Sequence, residues 1–254
     1  MSENDPVHDD WERFRALATM NNHWDRPGWT PGRSSYHWFL TFDNAALRDL
    51  ATACQRRLRA LDCLDPVPAD GLHLTVRRLA FTDEIETADV DTLAARVSTR
   101  CRALPAFSLR VGPLAGSSGA VRFTVTPWEP LLELRDVLDD VTTAHGLPAI
   151  DRRFRPHVGI AYCNRTVAAE PIIRRVAELR DLPPVEIPVV DLRLVRLYRN
   201  GRTYRWDPVS VVPLLGDGRA EPVAQGAGRW STSVRAPVKS TPPDIGHPCL
   251  RAAP

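Results

Sequence analysis

A chain of 254 residues with 25% charged and 43% hydrophobic side chains has a globular composition, which excludes a fibrous repeat and a globally disordered chain. The formal net charge of +2 arises after Leu215, where Arg219, Arg229, Arg235, Lys239 and Arg251 stand against Asp217, Glu221 and Asp244. The body before it is neutral, which argues against binding long nucleic acid through phosphate attraction alone and leaves room for a local basic cleft that takes a short substrate. No apolar run approaches the roughly 18 residues of a membrane span, and the opening MSENDPVHDD is acidic, so neither a membrane-spanning nor a secreted protein is expected. Cys54, Cys63, Cys101, Cys163 and Cys249 are odd in number and scattered without a C-x-x-C pair, which speaks against a disulfide framework or a thiolate metal site and for a reducing cytoplasm. Lys239 is the sole lysine, so the abundance of arginine reads as codon composition and not as a large recognition surface.

In chain order, a short helix is expected over 9–20, followed by an aromatic-rich loop from Asn21 to Ser35 and a strand from Tyr36 to Phe42. A helix over 45–61, a strand over 72–81 and a helix from about 90 to 103 follow. Strands are expected at 107–114 and 120–126, then a helix over 130–145, a strand over 157–163 and a helix over 171–180. Two final strands at 193–198 and 203–212 are joined by an Asn200-Gly201 hairpin turn. From Gly216 to Pro254 the chain is rich in proline and glycine with no period of either kind, which reads as a disordered tail. Three segments result: residues 1–35 as an N-terminal helix and loop, 36–215 as the folded domain, and 216–254 as the tail.

Strands and helices intermixed in this way indicate an α+β fold. Shifting the chain by 84 positions places His73 on His157, Phe39 on Phe123, Leu47 on Leu131 and Leu50 on Leu134, with strand, helix and strand in the same order. A duplication would set two equivalent strands across a cleft, each bringing one histidine. In LHLTVR, strict alternation puts Leu72, Leu74 and Val76 on one face of the strand and His73, Thr75 and Arg77 on the other. His73 and Thr75 are then about 6.6 Å apart, near enough to touch one tetrahedral anion. In RPHVGIAY the same rule puts Val158, Ile160 and Tyr162 on one side and Arg155, His157, Gly159 and Ala161 on the other. Two imidazoles facing each other suit acid–base catalysis near neutral pH, one accepting a proton and one donating, with no need of a metal or other cofactor.

The pair His73-Leu74-Thr75 and His157-Val158-Gly159, some eighty residues apart in a duplicated α+β chain, resembles the H-x-[ST] signature of the 2H phosphoesterase superfamily, in particular its 2′-5′ RNA ligase and cyclic phosphodiesterase branch. The resemblance spans roughly residues 36–212. It implies a duplicated bilobal fold, two antiparallel sheets facing a central cleft with helices outside. It also implies a metal-independent phosphodiesterase acting on a 2′,3′-cyclic phosphate, or a related cyclic or 2′-5′ phosphodiester, of an RNA end or small nucleotide. One motif histidine would be general base and the other general acid, with the motif hydroxyls holding phosphoryl oxygens. His73 and His157 carry over as catalytic residues and Thr75 as a substrate ligand, the acid and base roles left open. Gly159 departs from the pattern because glycine has no hydroxyl.

Arg77, Arg155 and Tyr162 join Thr75 as expected substrate-binding residues, with Tyr162, Arg155, a water or a substrate hydroxyl as replacements for the missing group at 159. A second reading is a catalytically weakened RNA-end or nucleotide-binding module. His23, Trp24, Trp29 and Tyr36 suggest base stacking over the cleft, although packing of the loop on the core is the commoner use of tryptophan. Tyr204 and Trp206 are expected in the core. No obligate protein partner and no membrane association are expected.

Overall fold

The computed structural model describes residues 5–148 and 154–216. Apart from Gly216, the expected tail lies outside the described residues, and so does Cys249. In chain order the elements are α1 (Pro6–Arg15), β1 (Thr19–Met20), β2 (Ser34–Thr41), α2 (Ala45–Leu58), β3 (Leu64–Pro66), a short 3-10 turn (Ala69–Gly71), β4 (His73–Phe81), α3 (Thr87–Cys101), β5 (Phe107–Ser117), β6 (Ala120–Thr126), α4 (Glu129–Ala144), β7 (His157–Cys163), β8 (Val167–Ala168), α5 (Glu170–Ala177), β9 (Val185–Val189), β10 (Asp191–Arg199) and β11 (Tyr204–Pro213). The long elements lie within a few residues of their expected places, except that the helix expected over 9–20 runs from Pro6 to Arg15 and residues 19–20 form β1. Four short strands were not legible; β9 contains Pro188, which removes a ladder donor and confines the strand to a sheet edge.

Two antiparallel sheets form the body, one ordered β11-β10-β2-β4 and the other β3-β7-β6-β5-β9. The duplication is visible as β2-α2-β4 and β6-α4-β7, each a pair of adjacent strands joined through a helix. The helices are exchanged: α2 packs on the sheet that holds β7, and α4 packs on the sheet that holds β4. With α1 and α5 against the five-stranded sheet and α3 against β11, helices cover the outer faces and the inner faces bound a cleft. The helices hold their places through apolar stripes. In α2, capped by the Asn44 side chain, Leu47, Ala51, Cys54 and Leu58 are buried; in α4, Leu131, Leu134, Leu138 and Val141 are. Among the described residues no helix is long and apolar enough to cross a membrane.

The N-terminal segment is built into this body. Asp5 caps α1 and Pro6 opens it, and the helix buries one face, Asp10 and Phe14, against β5 and β6. Phe14 lies directly over Gly116, where a Cβ would stand 2.2 Å from the phenyl ring, so only glycine admits the ring there. Gly116→Ala is expected to overpack this contact and lower stability by about 1–3 kcal/mol. An unchanged midpoint in urea unfolding would show that α1 is not held through this contact.

Candidate active site

His73 opens β4, and Thr41 opposite it, Phe39 opposite Thr75 and His37 opposite Arg78 share its side of the sheet. Alternation does not survive to Arg77. Trp38 faces Arg77 while its neighbour Phe39 faces Thr75, so Val76 is an extra residue, a β-bulge that turns Arg77 to the outer side. Arg77 is 1% exposed beneath α4, where its guanidinium pairs with Asp139, itself held by Arg135. The expectation that Arg77 contacts substrate is therefore corrected: it anchors α4, and Arg78 follows Thr75 on the cleft side.

β7 repeats the device at the matching position. Arg122 faces Gly159 and Val121 faces Ala161, so Ile160 is the extra residue. Its effect is that Ala161 and Tyr162 exchange the faces that alternation gives them. Tyr162, opposite Ala120, joins His157 (opposite Thr124) and Gly159 on the cleft side. The two bulges, at Val76 and Ile160, are 84 residues apart, as the histidines are. The register of the partner strands differs by one, however. Pairing makes Phe39 the counterpart of Arg122 and not of Phe123, which lies on the opposite side to His157.

That one-residue difference gives the two histidines unequal neighbours. Phe39 stacks on the His73 ring at 4.2 Å between centroids, with Trp206 edge-on at 5.2 Å. Beside His157 stands Arg122, its Nη1 2.9 Å from Nδ1. In other respects the two are held alike. Nδ1 of His73 lies 2.8 Å from the Gly71 carbonyl, and Nδ1 of His157 lies 2.8 Å from the Arg155 carbonyl, in each case two residues upstream. A carbonyl only accepts, so the Nδ1 proton of His73 is assigned to the Gly71 bond and its Nε2 is left with a lone pair, whereas Nδ1 of His157 lies between a carbonyl, which only accepts, and the Arg122 guanidinium, which only donates. β4 and β7 adjoin each other across the sheets, and the charge of His73 is felt at His157.

Both rings resist protonation. Burial, and then the Arg122 charge, hold His157 down to about 3; burial alone holds His73 down to about 4. Two further histidines face the same region. His37 is held to about 3 by burial and the Arg78 charge, and neither of its ring nitrogens has a partner among the described residues. His23 is held to about 2 by burial and then by Arg26 and Arg199. It stacks on Tyr162 at 3.9 Å, while Trp24 packs on Tyr162 and Tyr204 and donates through Nε1 to Asp65. The aromatic loop is thus packed on the cleft wall, which is the commoner use of its rings. His73, Tyr162 and Tyr204, from both sheets and the hairpin, line one water-sized cavity of ≈ 10 Å³ together with Arg202 and Gly71.

Asp10, 0% exposed, was not singled out from the sequence. It accepts from Arg155 (Nε 2.9 Å, Nη2 2.7 Å), from Arg122 (3.2 Å) and from Thr124 (3.1 Å). Arg155, expected to bind substrate, is engaged with this carboxylate and lies over the Trp128 ring, so its position is explained without a substrate. The sequence carried a signal for this cluster: Asp10 sits on the buried face of α1 four residues before Phe14, and Arg122 interrupts the apolar strand AVRFTVT. Thr75, by contrast, lies beside His73 on the cleft side, and its hydroxyl has no partner among the described residues.

A family model described as the 2′-5′ RNA ligase superfamily matches residues 44–201. Among solved structures, the chain is similar to E. coli LigT complexed with 3′-AMP, at 19% identity and a TM-score of 0.56, covering 72% of this chain and 98% of that one. TT0787 of Thermus thermophilus is similar at 21% identity and a TM-score of 0.53, with 73% and 99% covered. E. coli LigT complexed with NADP+ is similar at 19% identity and a TM-score of 0.54, with 72% and 98% covered. No curated protein matches the chain.

Two consequences are measurable. Asp10→Ala leaves the buried Arg122 and the partly buried Arg155 without their anion and is expected to cost about 3–5 kcal/mol, read as a fall in the melting midpoint; a fall under about a fifth of that would show that Asp10 is no anchor. Because the folded histidines stay neutral well below the unfolded value of 6.5, unfolding takes up protons as the pH falls. Stability is therefore complete above about pH 6.5 and declines from there toward pH 4. A melting midpoint that is flat from pH 7 to 5, or a His37→Phe variant with the same pH slope as the parent, contradicts this.

Proposed function

The chain belongs to the 2′-5′ RNA ligase superfamily, and with its 2H phosphoesterase-type chemistry as premise, we propose that it hydrolyses 2′,3′-cyclic phosphates, on RNA ends or small nucleotides, without a metal. The observation that carries this reading is the matched anchoring of His73 and His157. Each ring is fixed on its Nδ1 side, His73 by the Gly71 carbonyl and His157 by the Arg155 carbonyl and the Arg122 guanidinium, which leaves Nε2 for proton transfer. Water attacks phosphorus as the bond to one ribose oxygen breaks. One imidazole takes the proton of the water, and the other, protonated once the anionic phosphate stands beside it, gives that proton to the departing oxygen. The product is a phosphomonoester, and proton exchange with solvent restores both rings. Thr75 donates its hydroxyl to a non-bridging oxygen.

The unequal neighbours support a division of roles. A guanidinium beside Nδ1 opposes a second positive charge on His157, whereas the Phe39 face beside His73 does not. His157 is therefore assigned as base and His73 as acid. Nucleotides in complex with E. coli LigT, a protein of this fold, support a nucleotide-sized ligand. The absence of a hydroxyl at Gly159 supports the second reading, a binding module with weakened catalysis.

With EDTA present, purified protein is expected to convert a 2′,3′-cyclic nucleotide to a phosphomonoester, and His73→Ala or His157→Ala to lose on the order of 10² to 10⁴ in rate. A nitrophenyl leaving group, which departs without a proton, should reduce the loss in His73→Ala and not that in His157→Ala. The reverse pattern exchanges the roles. Binding with no turnover of any such substrate replaces the hydrolase with the binding module.

A further inference from the structure

We infer that the hydroxyl of Tyr162 takes the place of the hydroxyl missing at Gly159, so that the second half of the phosphate clamp is donated from three residues downstream. The inference rests on the cyclic-phosphate reading and deepens it.

Thr75 and Gly159 are counterparts, each the second cleft-facing residue of its strand, opposite Phe39 and Arg122. The bulge at Ile160 then turns Tyr162, which alternation would have sent outward, to the side of Gly159. A Cβ built on Gly159 lies 3.4 Å from the Tyr162 hydroxyl oxygen and 3.5 Å from Cε1. A Cβ there makes ordinary van der Waals contact with the ring, so the phenol oxygen stands beside the point from which a motif hydroxyl would project. The ring is held on one face by His23 at 3.9 Å and edge-on by Trp24 at 5.4 Å and Tyr204 at 5.5 Å. Its hydroxyl has no partner among the described residues, and it lines the same small cavity as His73 of the opposite sheet. Burial pushes the phenol above its ordinary value, which keeps it protonated and able to donate. Arg155 on the same strand and Arg122 opposite Gly159 are both bound to Asp10.

Tyr162→Phe keeps the stacked ring and removes only the donor. With a 2′,3′-cyclic nucleotide it is expected to lose on the order of 10² to 10³ in kcat with an unchanged melting midpoint. Gly159→Ser alone is expected to lower the rate, because two oxygens crowd one place. The double variant Gly159→Ser/Tyr162→Phe should regain at least tenfold over Tyr162→Phe. A Tyr162→Phe variant with parental kcat, or no recovery in the double variant, overturns the inference while hydrolysis by the parent still upholds the broader reading. If the parent turns over no cyclic phosphate, that broader reading fails, and the clamp is decided by calorimetric binding of 3′-AMP. Tyr162→Phe should weaken this binding at least tenfold, and equal affinity overturns the clamp.

Discussion

An imidazole has two nitrogens, and what the fold does with one decides what the other can do. In both halves of this protein the backbone carbonyl two residues before the histidine takes Nδ1, an arrangement available because Gly71 and Arg155 lie just ahead of the strands, where the chain turns in. Ring orientation is thereby set in large part by backbone, which moves less than a side-chain partner would. The cleft nitrogens are presented at the start of β4 and β7, two strands that adjoin across the sheets because α2 and α4 each cross to cover the other half.

Symmetry in the backbone has been used to build asymmetry in the site. The bulges at Val76 and Ile160 repeat, but the strands alongside are offset by one residue, so an aromatic face supports one histidine and a guanidinium flanks the other. A bulge costs a ladder hydrogen bond locally and in return re-aims the residues that follow. Here it sends Arg77 into a buried ion pair with Asp139 on one side and brings Tyr162 into the cleft on the other. The same device thus produces an anchor in one half and a potential ligand in the other, according to which side chain follows it.

The segment before β2 takes part in this arrangement. α1 brings a fully buried carboxylate that pairs with two arginines, one of which touches His157. The loop that follows lays His23 on Tyr162 and ties Trp24 to Asp65. A carboxylate with three donor groups around it is held by all of them at once, and its burial is supportable because its charge is met by two guanidiniums and a hydroxyl. The geometry of the second histidine therefore depends on residues well outside the matched family region.

Local periodicity determined most of the framework. The apolar stripes of α2 and α4, the alternation around His73 and the Asn200-Gly201 turn act within a few residues, and each is legible where it occurs. The pairing of His73 with His157 was legible as a repeat, since duplication leaves the same pattern twice. Only the tertiary structure decided the faces of Arg77 and Tyr162, because a bulge is a property of two strands in register and each strand alone reads as unbroken alternation. Asp10 and Arg122 lay in view as charges at apolar positions, but their partners are more than a hundred residues apart along the chain, and only folding brings such groups within hydrogen-bonding distance.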